Sequence, residues 1–318
     1  MSSLTAGATL APPLQQGELH DALVAAGIYL ETGVPGLVGH GQVMVRLFRA
    51  VDDLVTRAAA VEGAEAMAFP PVLPRRLLEL GGYVGSFPHL TGTVWAFQGD
   101  EAAARRQSSL VAAGDDWSGS QAMTDLALVP AACHPVYPVL AARGPLPTAG
   151  LTIDAGAANV FRHEPSGDPA RLQCFHTREI VRLGAAAAVV AWRDTWRDRA
   201  GALLTCLGLD VRTERASDPF FGRAGQMLAT SQREQALKFE LLVPVTAPER
   251  TAVASFNAHG QHFSEVYGLV LDDGTPAHTA CLGFGLERIC VALLARHGLS
   301  PAQWPADVRA VLWPGSGR

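Results

Sequence analysis

Phe161-Arg162-His163-Glu164 and, after a Gly/Asp/Pro-rich gap, Arg171-Leu172-Gln173-Cys174-Phe175-His176-Thr177-Arg178-Glu179 decide how this chain reads. Both segments alternate as strands do and the gap has turn composition, so together they predict a hairpin over 151–183. A hairpin of this kind carries cations, a carboxylate and an aromatic toward one another. It can grip a nucleotide, with the planar fork of Arg162 on a phosphate and Phe175 stacked under a base. No glycine-rich phosphate loop is needed for that. None is present, because the GxxxxGKS/T pattern does not occur and the glycine clusters lack the strand-to-helix setting of a dinucleotide fingerprint.

Outward from the hairpin, strands succeed one another without regular strand-helix-strand alternation. Upstream, Val43, Leu47, Val51, Leu54 and Val55 recur at helical spacing and predict an amphipathic helix over 38–61. A short apolar, proline-rich piece over 66–73 follows, then strands over 91–98 and 126–132. Downstream lie a small-residue helix over 185–207, strands near 238–243 and 253–256, and a last helix reaching Arg296, opened by Gly283 and Gly285. This order predicts an α+β fold, an antiparallel β-sheet flanked by helices, rather than a doubly wound parallel sheet. Residues 1–16, small, polar and proline-bearing, read as a flexible N-terminal arm, and 17–318 as a single catalytic domain.

Composition bounds the function. With 318 residues, 48% of them hydrophobic, the chain can bury a large core. Its formal charge of −5 argues against gripping a long polyanion, which needs a basic surface, but leaves room for one small anion in a basic pocket. Five cysteines, an odd number without CxxC spacing, do not suggest a disulfide framework. The absence of a signal peptide or a long uninterrupted apolar stretch places the expected location in the cytoplasm, away from a membrane. No GxSxG elbow is present to support a hydrolase.

A second segment repeats the theme of the first. Cys281-Leu282-Gly283-Phe284-Gly285-Leu286-Glu287-Arg288-Ile289 sets Arg288 just inside a helix start, after two glycines that let backbone pass close to a ligand. On this reading Arg288 faces phosphate; on the other it pairs with a surface carboxylate while the glycines cap and pack the helix. Lys238 either holds an anionic group or snorkels from a strand end. Ser217, Ser255 and Asn257 either line a pocket or bond locally at turns and strand ends. Widely separated cysteines such as Cys133 and Cys281 are, by spacing alone, core residues. His134, His163, His176, His259, His262 and His278 include no pair with helical ligand spacing, and read as pocket or surface polar groups.

Together, in this order, the two segments resemble motifs 2 (FRHE with CFHTRE) and 3 (GFGLER) of class II aminoacyl-tRNA synthetases. The resemblance covers most of 120–298 and extends to Ala216-Ser217-Asp218-Pro219-Phe220-Phe221-Gly222 and Ser255-Phe256-Asn257-Ala258-His259. It is greatest for the short seryl-type homologues called amino acid:[carrier protein] ligases. The resemblance implies that Arg162 holds the α-phosphate of ATP, Glu164 meets adenine or its amino group, Phe175 stacks on adenine and Arg288 takes the γ-phosphate. Such chemistry depends on positioning and on charge set where negative charge develops. Magnesium is implied with ATP. Glu240 is its candidate ligand, although Leu242 stands where the tRNA-charging relatives carry a second acidic residue on this strand. Ser217, Lys238, Ser255 and Asn257 are implied to line the substrate pocket.

The family resemblance also implies a zinc ion on Cys133, Glu179 and Cys281, leaving a fourth position for the substrate's α-amino group. The implied substrate is a small amino acid, glycine or alanine, and the implied assembly a homodimer to which the 38–61 helix contributes. The acceptor follows from what is missing. No long helical hairpin with sustained heptads precedes Leu126 to bind tRNA, so the expected acceptor is the phosphopantetheine thiol of an acyl carrier protein. Residues 221–234, with Arg223, Gln226, Arg233 and Glu234, read either as a docking element for an acidic carrier or as an ordinary solvated helix. The alternatives are a truncated synthetase paralogue that charges tRNA, or a noncatalytic synthetase-like module.

Overall fold

The computed structural model of the protein describes residues 15–246 and 249–315. The first part of the chain comprises α1 (Gln16–Ala25), β1 (Tyr29–Val34), β2 (Leu37–His40), α2 (Gln42–Ala59), β3 (Glu65–Ala66), β4 (Val72–Pro74), α3 (Arg75–Leu80), α4 (Tyr83–Ser86), β5 (Thr93–Phe97), α5 (Glu101–Ala113), β6 (Gln121–Leu128) and α6 (Val136–Ala141). It continues with β7 (Leu151–Phe161), β8 (Cys174–Gly184), α7 (Ala186–Cys206), β9 (Arg212–Arg215), α8 (Gly222–Glu234), β10 (Lys238–Pro244), β11 (Arg250–Gly260), α9 (His262–Tyr267), β12 (His278–Gly285), α10 (Leu286–His297) and α11 (Ala306–Leu312). Of the expected N-terminal arm, residues 1–14 lie outside the described residues, and Gln16 already begins α1.

The centre is a seven-stranded sheet in the order β3-β7-β8-β12-β11-β10-β9. All its neighbours run antiparallel except the two-residue β3, which lies parallel to β7. The α+β fold with an antiparallel sheet flanked by helices is therefore as expected. The β7–β8 hairpin pairs from Leu151 opposite Leu183 to Phe161 opposite Cys174, interrupted near Asp154 and Gly156. Gly156 has a left-handed φ of 70° there, open to glycine without strain, and its N–H donates to Asp154 Oδ1 at 2.9 Å.

One face of this sheet builds the main core. Ile180, Leu282, Phe256, Phe284, Ala254 and Leu241 alternate inward on β8, β12, β11 and β10. Above them α7 buries Val189, Arg193, Trp196, Ala200 and Leu204 along one stripe. Burying a side chain the size of Trp196 or Phe256 contributes on the order of 2–3 kcal/mol before entropy is counted. Helix α2 lays Met44, Leu47, Val51, Leu54 and Val55 into the same core and packs beside α10 and α11. It starts at Gln42 rather than at 38 because Leu37–His40 pairs with β1. Gly41 makes the junction possible, since a Cβ there would lie 1.8 Å from Gly27 O.

Two other expectations shift. The strand expected over 126–132 is β6, Gln121–Leu128, because the chain leaves its sheet to bring Ala132 and Cys133 to Glu179. Gly283 and Gly285, expected as the opening of a helix, end strand β12, and the helix proper begins at Leu286. The β1–β2 hairpin grips the loop between β7 and β8. Gln173 donates from its backbone to Gly36 O at 2.7 Å and from Nε2 to Pro35 O at 2.8 Å, and Tyr29 Oη donates to Pro169 O at 2.7 Å. Among the described residues no helix is long and apolar enough to cross a membrane.

Candidate active site

Register places the site on the sheet face opposite the core. Directly paired residues of antiparallel strands point the same way. One row across β8, β12, β11 and β10 reads Val181, Cys281, Asn257, Lys238; the next reads Glu179, Gly283, Ser255, Glu240. Glu214 on β9 stands opposite Glu240, an acidic neighbour across the strand pair where β10 itself carries Leu242. Residues spread over more than a hundred positions of sequence thus become lateral neighbours. Gly283 is small for a reason: a Cβ there would sit 3.3 Å from Glu179 Cγ.

At one end Cys133, Glu179 and Cys281 converge, all buried, with one ligand atom from each lying within 4.8 Å of the others. Glu179 is held by the backbone N–H groups of Ala132 at 3.0 Å to Oε1 and of Cys133 at 2.9 Å to Oε2. Burial pushes its carboxyl above the usual range, as does the charge of Cys281, against the pull of its hydrogen bonds. The two thiols act on one another, Cys133 being pushed well above the ordinary thiol range and Cys281 well below it. Asn257 Nδ2 donates to Cys281 Sγ at 3.6 Å, and His259 Nε2 stands 3.5 Å from the same sulfur. Asn257 Oδ1, Thr177 Oγ1 and Tyr137 Oη, also buried here, make no hydrogen bond to a described group. Two sulfurs, a carboxylate and orphaned polar atoms suit a divalent metal of zinc type with an open position. His134 nearby is pushed down to about 4, by burial first and then by His259 and Arg162, and so is neutral at physiological pH.

The other end is cationic. Arg162 follows β7, donates from Nε to Pro130 O at 3.1 Å and lies 5.5 Å from the Phe175 ring centre. Arg288, in the first turn of α10, donates from Nε to Ala170 O and from Nη1 to Ala252 O, both at 2.9 Å. Burial lowers the Arg288 pKa, and the neighbouring charges of Arg162 and Arg171 lower it further, with Glu164 and Glu240 acting the other way. Glu164 pairs with Arg171 at 3.2 Å. Three guanidinium groups crowd one half-buried spot, which favours an incoming polyanion. Between the two ends, buried Lys238 pairs with Asp218 at 2.7 Å and Glu240 at 3.1 Å. Ser217 sits beside this cluster, between Asp218 and Ala216, whose N–H donates to Lys238 O at 3.0 Å. A separate surface groove of about 440 Å³, between β5 and α5, is lined by Phe97, Gln107 and Val111 and has no titratable side chain.

No protein-family model matches the chain. It is 45% identical over 296 residues to amino acid–[acyl-carrier-protein] ligase 2 of Bradyrhizobium diazoefficiens, a match covering 91% of this chain and 86% of that one. To amino acid–[acyl-carrier-protein] ligase 1 of the same organism it is 47% identical over 268 residues, 82% of each. The chain belongs to this ligase family. The ligase is also 32% identical to the type-2 serine–tRNA ligase of Methanococcus aeolicus, over 157 residues that make up 47% of this chain and 30% of that protein. Its fold matches a solved complex of M. kandleri SerRS with A. aeolicus tRNASec, at TM-score 0.80 and 21% identity, covering 95% of this chain and 61% of that one. It also matches the cytoplasmic serine–tRNA ligase of Naegleria fowleri with AMP, at TM-score 0.69 and 12% identity, covering 96% of this chain and 62% of that one. The fold is that of class II aminoacyl-tRNA synthetases.

In this ligase the structure brings every expected site residue to one sheet face or its rim. Sequence reading passed over Asp218, which neutralises Lys238 and is itself held by Gln232 Nε2 at 2.8 Å. Its signal was present, because it is the one acid in the 216–222 segment. Arg171 stands in a motif that gives it no role of its own, and His259 reads from sequence as a generic polar group. Tyr137 carried no signal at all.

Proposed function

We propose that residues 17–318 act as one catalytic unit that activates a small amino acid, glycine or alanine, with ATP and transfers it to the phosphopantetheine thiol of an acyl carrier protein. The observation that carries this reading is the polarity of the sheet face. Arg162, Arg171 and Arg288 gather at one end and the Cys133, Glu179, Cys281 set at the other, with Lys238 between them. In the first step a carboxylate oxygen of the amino acid attacks the α-phosphorus, and pyrophosphate leaves with the electrons of the broken P–O bond. In the second, the carrier's thiolate sulfur, its proton given up to solvent, attacks the carbonyl carbon, and AMP departs.

Arg162 is assigned to the α-phosphate, Arg288 to the γ-phosphate, Glu164 and Phe175 to adenine, and Glu240 to magnesium with Glu214 beside it. Lys238, Ser217, Ser255 and Asn257 line the path of the substrate carboxylate and amine. Cys133, Glu179 and Cys281 would hold zinc, which when bound supplies a Lewis-acid position for an amine. The stacked Tyr137 and Phe263 rings, 3.7 Å apart, close the space behind that set and support a small substrate. Helix α8 exposes Met227 and Leu228, with Phe221 just before it and Arg223 and Arg233 along it, a surface suited to an acidic carrier. We further propose a cytoplasmic homodimer. The apolar face of α2 is committed to its own core, so the exposed Trp95, Phe97 and Met123 on β5 and β6 are the better support for a second copy.

The test is amino-acid-dependent exchange between ATP and pyrophosphate, followed by mass spectrometry of a phosphopantetheinylated carrier. Exchange with glycine or alanine and a matching mass gain on the carrier are expected. Absence of exchange with every small amino acid would sink the first half. Charging of tRNA with no loading of any carrier would replace the second half.

A further inference from the structure

Three ligand atoms meet at the buried end of the site, and for two of them the supporting donors are plain. Glu179 takes two backbone N–H groups, from Ala132 at 3.0 Å and Cys133 at 2.9 Å. Cys281 Sγ has Asn257 Nδ2 at 3.6 Å and His259 Nε2 at 3.5 Å, and the far nitrogen of His259 is fixed by Thr279 Oγ1 at 3.0 Å. For Cys133 the answering group is four residues on. The turn closed by Val136 N to Cys133 O, 3.0 Å, carries the chain into α6 and returns Tyr137 toward the same cluster.

Tyr137 is fully buried, its ring stacked on Phe263 at 3.7 Å and meeting His259 edge-on at 6.2 Å. Phenylalanine would serve that packing equally well. What tyrosine adds is Oη, which makes no hydrogen bond to a described group although Cys133 belongs to the same buried cluster. A buried hydroxyl with no partner destabilises a fold, and a tyrosine so placed ordinarily finds one. Cysteines that bind a divalent cation do so as thiolates, whose remaining lone pairs accept hydrogen bonds.

We infer that Tyr137 is a positioning residue of the metal centre, its phenol hydroxyl donating to the Cys133 sulfur when Cys133, Glu179 and Cys281 hold a divalent cation. Tyr137 then does for Cys133 what Asn257 and His259 do for Cys281, and both sulfurs are oriented from outside the coordination shell. The inference rests on the proposed metal reading of those three residues.

The experiment compares Tyr137→Phe with the wild-type full chain, zinc-loaded and zinc-free. Two quantities are read, the rate of zinc release to a chromophoric chelator and the thermal midpoint. Release is expected to rise roughly tenfold, the low end of what loss of such an outer hydrogen bond does to metal affinity. The midpoint should fall further in the zinc-loaded variant than in the zinc-free one, because a metal-bound thiolate is the better acceptor for the deleted hydroxyl. A release rate within twofold of wild type overturns the inference. So does equal destabilisation with and without zinc, or a zinc-free variant that no longer folds, since either makes the hydroxyl a packing element. Wild-type protein that holds no zinc brings down the metal reading and this inference together, whereas wild-type protein that holds it beside an indistinguishable variant brings down the inference alone.

Discussion

Replacing Lys238 with Met tests the electrostatic centre of the site. The substitution keeps the stem and removes the cation that faces Asp218 at 2.7 Å and Glu240 at 3.1 Å. Deleting one partner of a buried ion pair costs about 3–5 kcal/mol, chiefly because the remaining charge is left without a counter-ion. Here the acid side chains keep 34% and 24% exposure, so water screens part of the loss, and about 2–3 kcal/mol is expected at pH 7.

The pH dependence supplies the sign. Burial alone would raise the Asp218 carboxyl, but Lys238 and Gln232 outweigh it and hold it below the ordinary 3.8. A folded-state value below the unfolded one contributes stability that is present above the unfolded value and lost as pH falls through the folded one. Lys238 is raised above 10.5 against its own desolvation, so its contribution is lost only at alkaline pH above that value. Urea unfolding of both proteins from pH 7 down to the acid limit should therefore show the gap between them narrowing below about pH 4. A gap that stays constant to the acid limit would refute the pairing as its source.

Other substitutions probe the two ends separately. Arg288→Lys loses the donors to Ala170 O and Ala252 O and is expected to slow ATP–pyrophosphate exchange about 100-fold, measured with labelled pyrophosphate, with zinc content unchanged. Cys281→Ser should leave the chain folded but unable to retain zinc through dialysis, as read by elemental analysis. In Gly283→Ala the new Cβ presses on Glu179 Cγ, with an expected cost of about 1 kcal/mol in urea unfolding and faster zinc release. Gly17→Ala in α1, where nothing lies within 4 Å, should be neutral or slightly stabilising in the same assay.

The β7–β8 hairpin was legible because its alternation and its charged residues coincide, so local pattern and site chemistry point the same way. Strand β12 was not. His278-Thr279-Ala280-Cys281-Leu282-Gly283-Phe284-Gly285 ends in two glycines that read as a helix start, and only the pairing with β8 on one side and β11 on the other makes it a strand. Helix α5 had usable signals, an Asp100 cap accepting from Ala103 N at 2.8 Å and a left-handed Gly114 at its end, that the reading did not take up. Spacing left Cys133 and Cys281 as ordinary core residues, and family resemblance alone linked them to Glu179. Register supplies the physical reason for the grouping, because Cys281 and Gly283 lie opposite Val181 and Glu179. The pairing of Asp218 gives no such signal, because its partner, Lys238, becomes a neighbour only through turns that local pattern does not encode.

The grip of the β1–β2 hairpin on the loop before β8 gives the cationic end of the site its own clock. The amide of Gln173 is bonded to Gly36 O, so it exchanges with solvent only when the hairpin lifts away. Glu164, Arg171 and the Ala170 carbonyl that seats Arg288 all belong to that loop. Each lifting event would therefore loosen the arginine cluster while Cys133, Glu179 and Cys281 stay seated on the central sheet. Deuterium uptake at Gln173 would count those openings, and ATP should slow it without altering uptake along β12.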